Sequence, residues 1–336
     1  MQTIYGIDKI GPELHGGLIT IGNFDGIHQG HRRLLNHLAE EARREGTTAI
    51  VITFDPHPKM LIYPEKRPFY LLTTLAEKLT LLEDCGLDAV IVIPFSLAYA
   101  RTTAHDFICN FLWGKLQIRG IIIGHDYTFG NRKEGNEALL LSYGGKLGFR
   151  VEVINAFSAG ETIISSTRIR QAILKGDMGI ARSFLGRPYN IAGRVVEGHH
   201  RGAALGFPTA NIKPEKELIP PDGVYAVYVK LGGAEIDGLM NIGTNPTFGD
   251  ETRSLEVYLL DFDANIYGER LDVFFIERIR GEIKFPGVEQ LREQIRLDVK
   301  TGRELLGCYH QTKTSSPSLI DELVKSRETS HFVIPA

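Results

Sequence analysis

The stretch GNFDGIHQGH, residues 22–31, decides how the first half of this chain is read. It closes one apolar run, GLITIGNF (17–24), and opens another pattern, HRRLLNHLAEEARREG (31–46). The first run reads as a strand. In the second, Leu34, Leu35, Leu38, Ala39 and Ala42 recur at helical spacing along one face. His28 and His31 therefore stand where a strand passes into a helix. Gly22 and Gly26 let the backbone approach a ligand without a Cβ clash. A helix starting near His31 offers unpaired N–H groups and a positive dipole end, which favour phosphate. Imidazoles there can add charge-assisted hydrogen bonds to phosphate oxygens that gain charge during transfer. A surface turn or a helix cap is the plainer reading of two histidines alone. The glycine frame and the strand–turn–helix setting favour phosphate chemistry instead. A metal site using both histidines is weaker, because no third ligand is evident nearby in sequence.

Outward from this stretch the pattern alternates. TTAIVITF (47–54), LDAVIVIPF (87–95), GIIIGHD (120–126) and RVEVINAF (150–157) read as strands. Residues 72–86, 102–116 and 137–149 read as helices, the second with a threonine cap. Near-continuous apolar strands between helices predict a parallel sheet covered on both faces, with ligands at the strands' carboxyl ends. After about residue 186 the rhythm changes, with LGRPYNIAG as a connector. YNIAGRVVEG, GVYAVYVKL, IDGLMNIG, SLEVYLLDF and LDVFFIERIR are short alternating runs. They predict a small antiparallel barrel, closed by one helix over 288–299. The expected layout is an α/β domain over 1–185, a barrel domain over 186–310 and a polar tail over 311–336. The tail is expected to be disordered apart from a short helix at LIDELVK (319–325).

Bulk properties restrict the function. The chain of 336 residues is long enough for two cores. Hydrophobic residues make up 43%, charged residues 24%, and the formal net charge is −3. No global basic excess points to nucleic acid or an anionic membrane. Cys85, Cys109 and Cys308 are odd in number and far apart, which fits a reducing cytoplasm better than a disulfide framework. The N-terminus lacks the signature of a signal peptide, and the apolar runs are too short to span a bilayer.

Three further stretches carry chemistry. SSTRIR (165–170) places Ser166 and Thr167 at a helix start, followed by Arg168 and Arg170. Either an anion site or an ordinary cap with solvated arginines fits these residues. In RGAALGFPTANI (201–212), Thr209 and Asn211 share one face of a strand and offer hard oxygens suited to magnesium. Gly202 and Gly206 flank a loop that could cover phosphates, although a turn entering a strand is the simpler reading. In SLEVYLLDF (254–262), Glu256 either faces solvent or serves as general base to an alcohol. Spacing leaves that open.

GNFDGIHQGH resembles the (H/T)xGH signature of nucleotidyltransferases. With TFDPHP (53–58), GHDYTFGNRKEGN (124–136) and SSTRIRQAILKGD (165–177), it resembles the adenylyltransferase module of bifunctional bacterial riboflavin kinase/FMN adenylyltransferases, the FAD synthetases. The resemblance implies a Rossmann-like nucleotidyltransferase fold in which His28 and His31 contact ATP phosphates. It puts Gly22, Asn23 and Phe24 in the nucleotide loop and Ser166, Thr167 and Arg170 in a second phosphate motif. Asp126 would be a flavin or magnesium contact. The implied reaction is attack of FMN phosphate on the α-phosphorus of ATP, giving FAD and pyrophosphate.

The second half resembles the riboflavin kinase barrel through GFPTAN (206–211), GVYAV (223–227), NIGTNPTF (241–248), LEVYLLDF (255–262) and LREQIRLD (291–298). There Thr209 and Asn211 would bind magnesium–nucleotide, near Gly206. Glu256 would deprotonate the riboflavin 5′-hydroxyl for attack on the γ-phosphate of ATP. Asn241 and Thr247 would lie in substrate-side loops. Ala203 stands where relatives often carry a basic residue, so a phosphate contact is expected to be missing. The resemblance implies riboflavin, FMN and ATP as small-molecule partners, and magnesium at both sites. The competing readings are a nucleotidyltransferase for another phosphate-bearing metabolite and a flavin-binding regulator without turnover. A nicotinamide or flavin oxidoreductase is weaker still, since no GxGxxG opens the first strand–helix turn.

Overall fold

The computed structural model describes residues 1–66, 68–159, 162–198, 202, 205–244 and 253–315. Ala203, Thr247 and LIDELVK lie outside the described residues. The chain divides into two compact units. One comprises Met1–Lys175, Ile180–Arg187 and Glu215–Ile219; the other comprises Gly176–Gly179, Pro188–Pro214 and Pro220–Ala336.

The first unit is built on a parallel sheet of strands β1 (Gln2–Tyr5), β2 (Leu18–Ile21), β3 (Ala49–Asp55), β4 (Ala89–Pro94), β5 (Gly120–Gly124) and β6 (Arg150–Ile154). Their order is β1-β4-β3-β2-β5-β6, and every pairing is parallel. Strand alternation sends side chains to two cores. Ile19, Ile21, Ile50 and Ile52 join one, while Leu18, Val51, Val90 and Val92 join the other. Helix α1 (Gln29–Glu45) buries Leu35, Leu38, Ala39 and Ala42 in the second core and ends at Gly46, whose φ of 63° suits a left-handed cap. Helices α2 (Pro58–Ile62) and α3 (Leu75–Glu83) follow β3. The edge strand β1 carries no apolar run, so nothing in its four residues marks it as a strand.

The expected helix over 102–116 takes a different form. Thr103 caps a single turn, Ala104–Asp106, and Phe107–Lys115 is then π-helical. In the same unit, Lys216 is buried and its ammonium bridges both carboxylate oxygens of Glu77, at 3.0 and 2.9 Å. That pair brings residues 215–219 into the first unit although they follow the first two barrel strands in sequence.

A two-residue pair, β7 (Ser158–Ala159) with β8 (Thr162–Ile163), precedes the second unit. The second unit is a closed antiparallel barrel of β9 (Tyr189–Val196), β10 (Ala210–Pro214), β11 (Gly223–Leu231), β12 (Ala234–Thr244), β13 (Arg253–Leu259) and β14 (Arg270–Arg280). Their order is β10-β13-β12-β11-β14-β9. Both faces of β11 are buried. Tyr225, Val227 and Val229 form one face, and Val224, Ala226 and Tyr228 pack in a cluster with Leu306 of the long helix Val288–Ser315. This helix is 28 residues long and continues well past the expected end at 299. Gly302, a weak helix former, does not end it. A Cβ there would lie 3.1 Å from the Leu239 side chain, so its smallness lets the helix approach the sheet. The first five residues of the expected polar tail, 311–315, are its last turn.

Leu38 is fully buried between α1 and the sheet. Leu38→Ala should lower the unfolding free energy by about 2–5 kcal/mol, read from the urea midpoint of the transition that includes the first unit.

Candidate active sites

In the first unit, the chain runs from β2 to β3 on one side, while β5 pairs on the other. Carboxyl ends of strands at such a switch form a crevice. Gly22, Asn23 and Phe24 leave the end of β2, and the exposed Asp126 follows the end of β5. His28 is the N-cap of α1, its Nδ1 accepting the His31 amide at 3.2 Å. In a neutral ring that leaves the proton on Nε2, a hydrogen-bond donor. The two imidazoles stack with centroids 3.6 Å apart, and Phe24 meets His31 edge-on at 5.2 Å.

The loop before α1 is held in uncommon backbone. Phe24, Gly26 and Ile27 have φ of 46°, 87° and 38°. Asp25, only 2% exposed, stabilises it. Its carboxylate accepts the amides of Leu72 (3.0 Å) and Thr73 (3.1 Å) and the Thr73 hydroxyl (3.3 Å), and pairs with the Arg170 guanidinium. The Thr73 hydroxyl in turn accepts the Gly26 amide at 3.1 Å. Ser166 donates to the Asp25 carbonyl at 2.9 Å. Arg170 also donates to the Tyr70 carbonyl at 2.6 Å and lies over the Phe69 ring. Ser166 and Arg170 thus join the histidine loop through Asp25. Thr167 and Arg168 are exposed at the start of the same helix, Ser166–Lys175. In sequence Asp25 is only a neighbour of the histidines; its partners lie far along the chain.

Burial pushes the His28 imidazole down to about 4, with Arg187 adding to the fall and Asp25 opposing it. His31 lies well below the usual histidine range through burial, reinforced by His28 and Lys78. Both rings are therefore neutral near pH 7, and their donors are N–H groups of uncharged imidazole rather than the charged ones expected. The buried Nδ1 of His31 and Oδ1 of Asn23 have no hydrogen-bond partner. Unpaired buried polar atoms at a crevice are groups that a ligand can satisfy.

In the barrel, register brings the candidate residues into one row. Asn211 of β10 lies opposite Glu256 of β13, which lies opposite Asn241 of β12. Directly opposed residues share a face. The Thr209 hydroxyl donates to Glu256 Oε2 at 3.2 Å, and Ser254 donates to Oε1 at 3.4 Å. Thr209, Asn211, Asn241 and Glu256 line a cavity of about 300 Å³ with Phe207, Tyr258 and Arg280, closed by Leu291, Ile295 and Asp298 of the long helix. Arg280 grips Asp298 through three hydrogen bonds of 2.8–3.0 Å, fixing helix to sheet at the cavity wall. A second cavity of about 290 Å³ is formed with Phe262–Tyr267 and also includes Thr209. Beyond Phe262, which ends SLEVYLLDF, that loop carries no sequence signal. Gly206 is exposed, with φ of 86°. Among the described residues no three His, Cys, Asp or Glu side chains cluster to hold a metal. The hydroxyl of Thr209, the amide of Asn211 and the carboxylate of Glu256 nevertheless form a hard-oxygen set that fits magnesium.

The fold and these sites define a two-module phosphate-transfer protein, one module a nucleotidyltransferase-like α/β unit and the other a barrel. Family models agree: FAD synthetase matches residues 11–168 and riboflavin kinase matches 185–306. The bifunctional riboflavin kinase/FMN adenylyltransferase of Escherichia coli (strain K12) is 40% identical over 309 residues, covering 91% of this chain and 98% of the relative. The protein of the same description from Haemophilus influenzae is 40% identical over 304 residues, covering 90% and 98%. A crystal structure described as a macrolide-efflux protein from Streptococcus pneumoniae superposes with a TM-score of 0.82 at 33% identity, over 90% of this chain and 99% of that one. The chain belongs to the bifunctional riboflavin kinase/FMN adenylyltransferase family.

Two outcomes follow from the buried groups of the first site. Burial lowers folded His28, and the buried His57 that caps α2, to about 4 from an ordinary 6.5, so between those values the unfolded chain binds more protons. Their contribution is full above pH 6.5 and is lost as pH falls toward 4. His57→Gln should flatten that part of a stability–pH curve measured by urea denaturation. Asp25→Asn, which breaks the buried pair with Arg170, should cost about 3–5 kcal/mol in the same assay at pH 7.

Proposed function

We propose that the barrel phosphorylates riboflavin to FMN and that the histidine loop of the first unit adenylylates FMN to FAD, with ATP the co-substrate of both. The observation that carries this reading is the grouping of Thr209, Asn211 and Glu256 along one cavity, with Thr209 also lining the second. A phosphate chain passing Thr209 would connect a nucleotide in the cavity beside Phe262–Tyr267 to a flavin in the one walled by Phe207 and Tyr258. Glu256 accepts the proton of the riboflavin 5′-hydroxyl. The freed oxygen attacks the γ-phosphorus of ATP, the bond to the β–γ bridging oxygen breaks, and ADP leaves. Thr209 and Asn211 would hold magnesium, which supplies charge neutralisation to the phosphates when bound.

In the first unit, a phosphate oxygen of FMN attacks the α-phosphorus of ATP. The bond to the α–β bridging oxygen breaks, and pyrophosphate leaves. His28 Nε2–H and the ring of His31 donate to phosphate oxygens whose charge rises in the transition state. Gly22, Asn23 and Phe24 line the nucleotide, and Asp126 faces the flavin side. Thr167 and Arg168 are free at the surface to meet phosphate, while Ser166 and Arg170 keep the loop in place. The buried Cys85, half-buried Cys109 and exposed Cys308 are all free thiols. Among the described residues no helix is long and apolar enough to cross a membrane. The free thiols support a cytoplasmic setting.

Incubation with riboflavin, ATP and magnesium, with flavins separated over time, should give FMN and then FAD. Glu256→Gln should suppress FMN formation by about a hundredfold while FAD formation from supplied FMN survives. His31→Ala should do the reverse. Equal loss of both reactions in either variant contradicts the two-site assignment. A strong chelator should stop both reactions, and activity that persists would contradict the magnesium roles.

A further inference from the structure

Two cations beside the histidine loop, the buried Lys78 and the half-buried Arg187, have no part in the mechanism above. Lys78, on α3, is only 5% exposed. Its ammonium donates to Thr53 Oγ1 at 3.3 Å, and that hydroxyl donates to the Asn23 carbonyl at 3.3 Å. Arg187 donates to the carbonyls of Gly26 (2.8 Å), Ile27 (3.2 Å) and Leu185 (3.4 Å). Each cation therefore ends on the backbone between residues 23 and 27.

Their pairing sets them apart from other cations of the unit. Arg170 is bound to Asp25 and Lys216 to Glu77. Lys78 and Arg187 make no ion pair among the described residues; their hydrogen bonds end on a hydroxyl and on carbonyls. At longer range Lys78 faces Asp25 and Asp55, and Arg187 faces Glu77, Asp84, Cys85 and the like charge of Arg32. Asp25 and Glu77 are already engaged by Arg170 and Lys216. A desolvated cation without a contacting counter-ion is costly to maintain, and an anion arriving nearby offsets that cost. The phosphates of ATP bring such an anion, even with magnesium bound.

The backbone geometry converts this charge into position. A trans peptide places C=O and N–H on opposite sides. Tying the Ile27 carbonyl to Arg187 therefore turns the His28 amide away from the guanidinium, at the N-terminus of α1. The φ of 38° at Ile27 is an uncommon conformation for a β-branched residue and needs such an anchor.

We infer that Lys78 and Arg187 are positioning residues for adenylyl transfer, fixed positive charges that set the backbone of residues 23–28 and favour the ATP phosphates without touching them. This rests on the assignment of His28 and His31 to ATP. The same charges depress the histidines, Arg187 acting on His28 and Lys78 on His31. Burial pulls both cations below their ordinary values, Arg187 to about 10 and Lys78 in the same direction, and incoming phosphates favour the charged forms behind the neutral N–H donors.

The test uses the full chain, with FAD formation from FMN and ATP as readout, riboflavin phosphorylation as the control for an intact barrel and the urea midpoint as the control for folding of the first unit. Lys78→Met and Arg187→Met should each raise the KM for ATP about tenfold or more. Lys78→Arg and Arg187→Lys should stay within about threefold of the parent, and riboflavin phosphorylation within about twofold. Imidazole titration by NMR should move His31 upward in Lys78→Met and His28 upward in Arg187→Met, a change that loss of packing alone would not produce. An unchanged ATP KM in both methionine variants overturns the inference, as does equal damage from neutral and charge-conserving variants. Should a methionine variant lose both reactions through misfolding, Thr53→Val cuts the bridge from Lys78 to Asn23 and keeps the volume. It should raise the ATP KM about threefold, and no change there overturns the positioning role of Lys78. His31→Ala with FAD formation intact would instead remove the underlying assignment, so the two failures are distinguishable.

Discussion

The carboxylate of Asp25 is the constraint on which the first site depends. Residues 24, 26 and 27 all have positive φ, and a free chain would not hold that path. Asp25 holds it by accepting two amides and a hydroxyl from residues 72–73 and a guanidinium from Arg170. Because Ser166 binds the Asp25 carbonyl as well, the loop after β2, the segment before α3 and the helix Ser166–Lys175 share one anchor. His28 can then cap α1 and stack on His31.

The barrel solves a similar problem with register instead of a buried ion pair. One row of directly opposed residues sets Asn211, Glu256 and Asn241 side by side. A slip of one residue would turn Glu256 to the opposite face and replace it with Leu255 or Val257. The buried Leu255, Val257 and Leu259 oppose such a slip, since it would carry all three out of the core. The hydrophobic core of this unit thereby holds the carboxylate in line with the Thr209 hydroxyl.

Much of this was legible in the sequence where the signal is local. The strand–turn–helix around His28, the apolar face of α1 and the alternation of the barrel strands all follow from nearest-neighbour periodicity. What escaped has distant partners or weak local preference. Asp25 meets residues 47 and 145 positions away, so nothing in GNFDGIHQGH reveals its task. The edge strand β1 is four residues with two polar ones, too short for any pattern. The long helix passes through Gly302 because the close approach to Leu239 outweighs glycine's low helix propensity. The second cavity is formed with the loop Phe262–Tyr267, which has no apolar period. The charge state of the histidines was likewise hidden, because burial is a property of the fold and not of the motif.

The bond between Lys216 and Glu77 has a consequence for how the molecule is made. Glu77 also caps α3, its carboxylate accepting the Thr74 amide at 2.8 Å. A chain leaving the ribosome from its N-terminus exposes α3 long before Lys216 exists. The first unit can reach its final form only after residue 219 has emerged, by which time β9 and β10 have already been synthesised. Synthesis order and folding order therefore cannot coincide here. For an interval during translation Glu77 has no ammonium beside it, and the first two barrel strands wait unpaired with the four still to come.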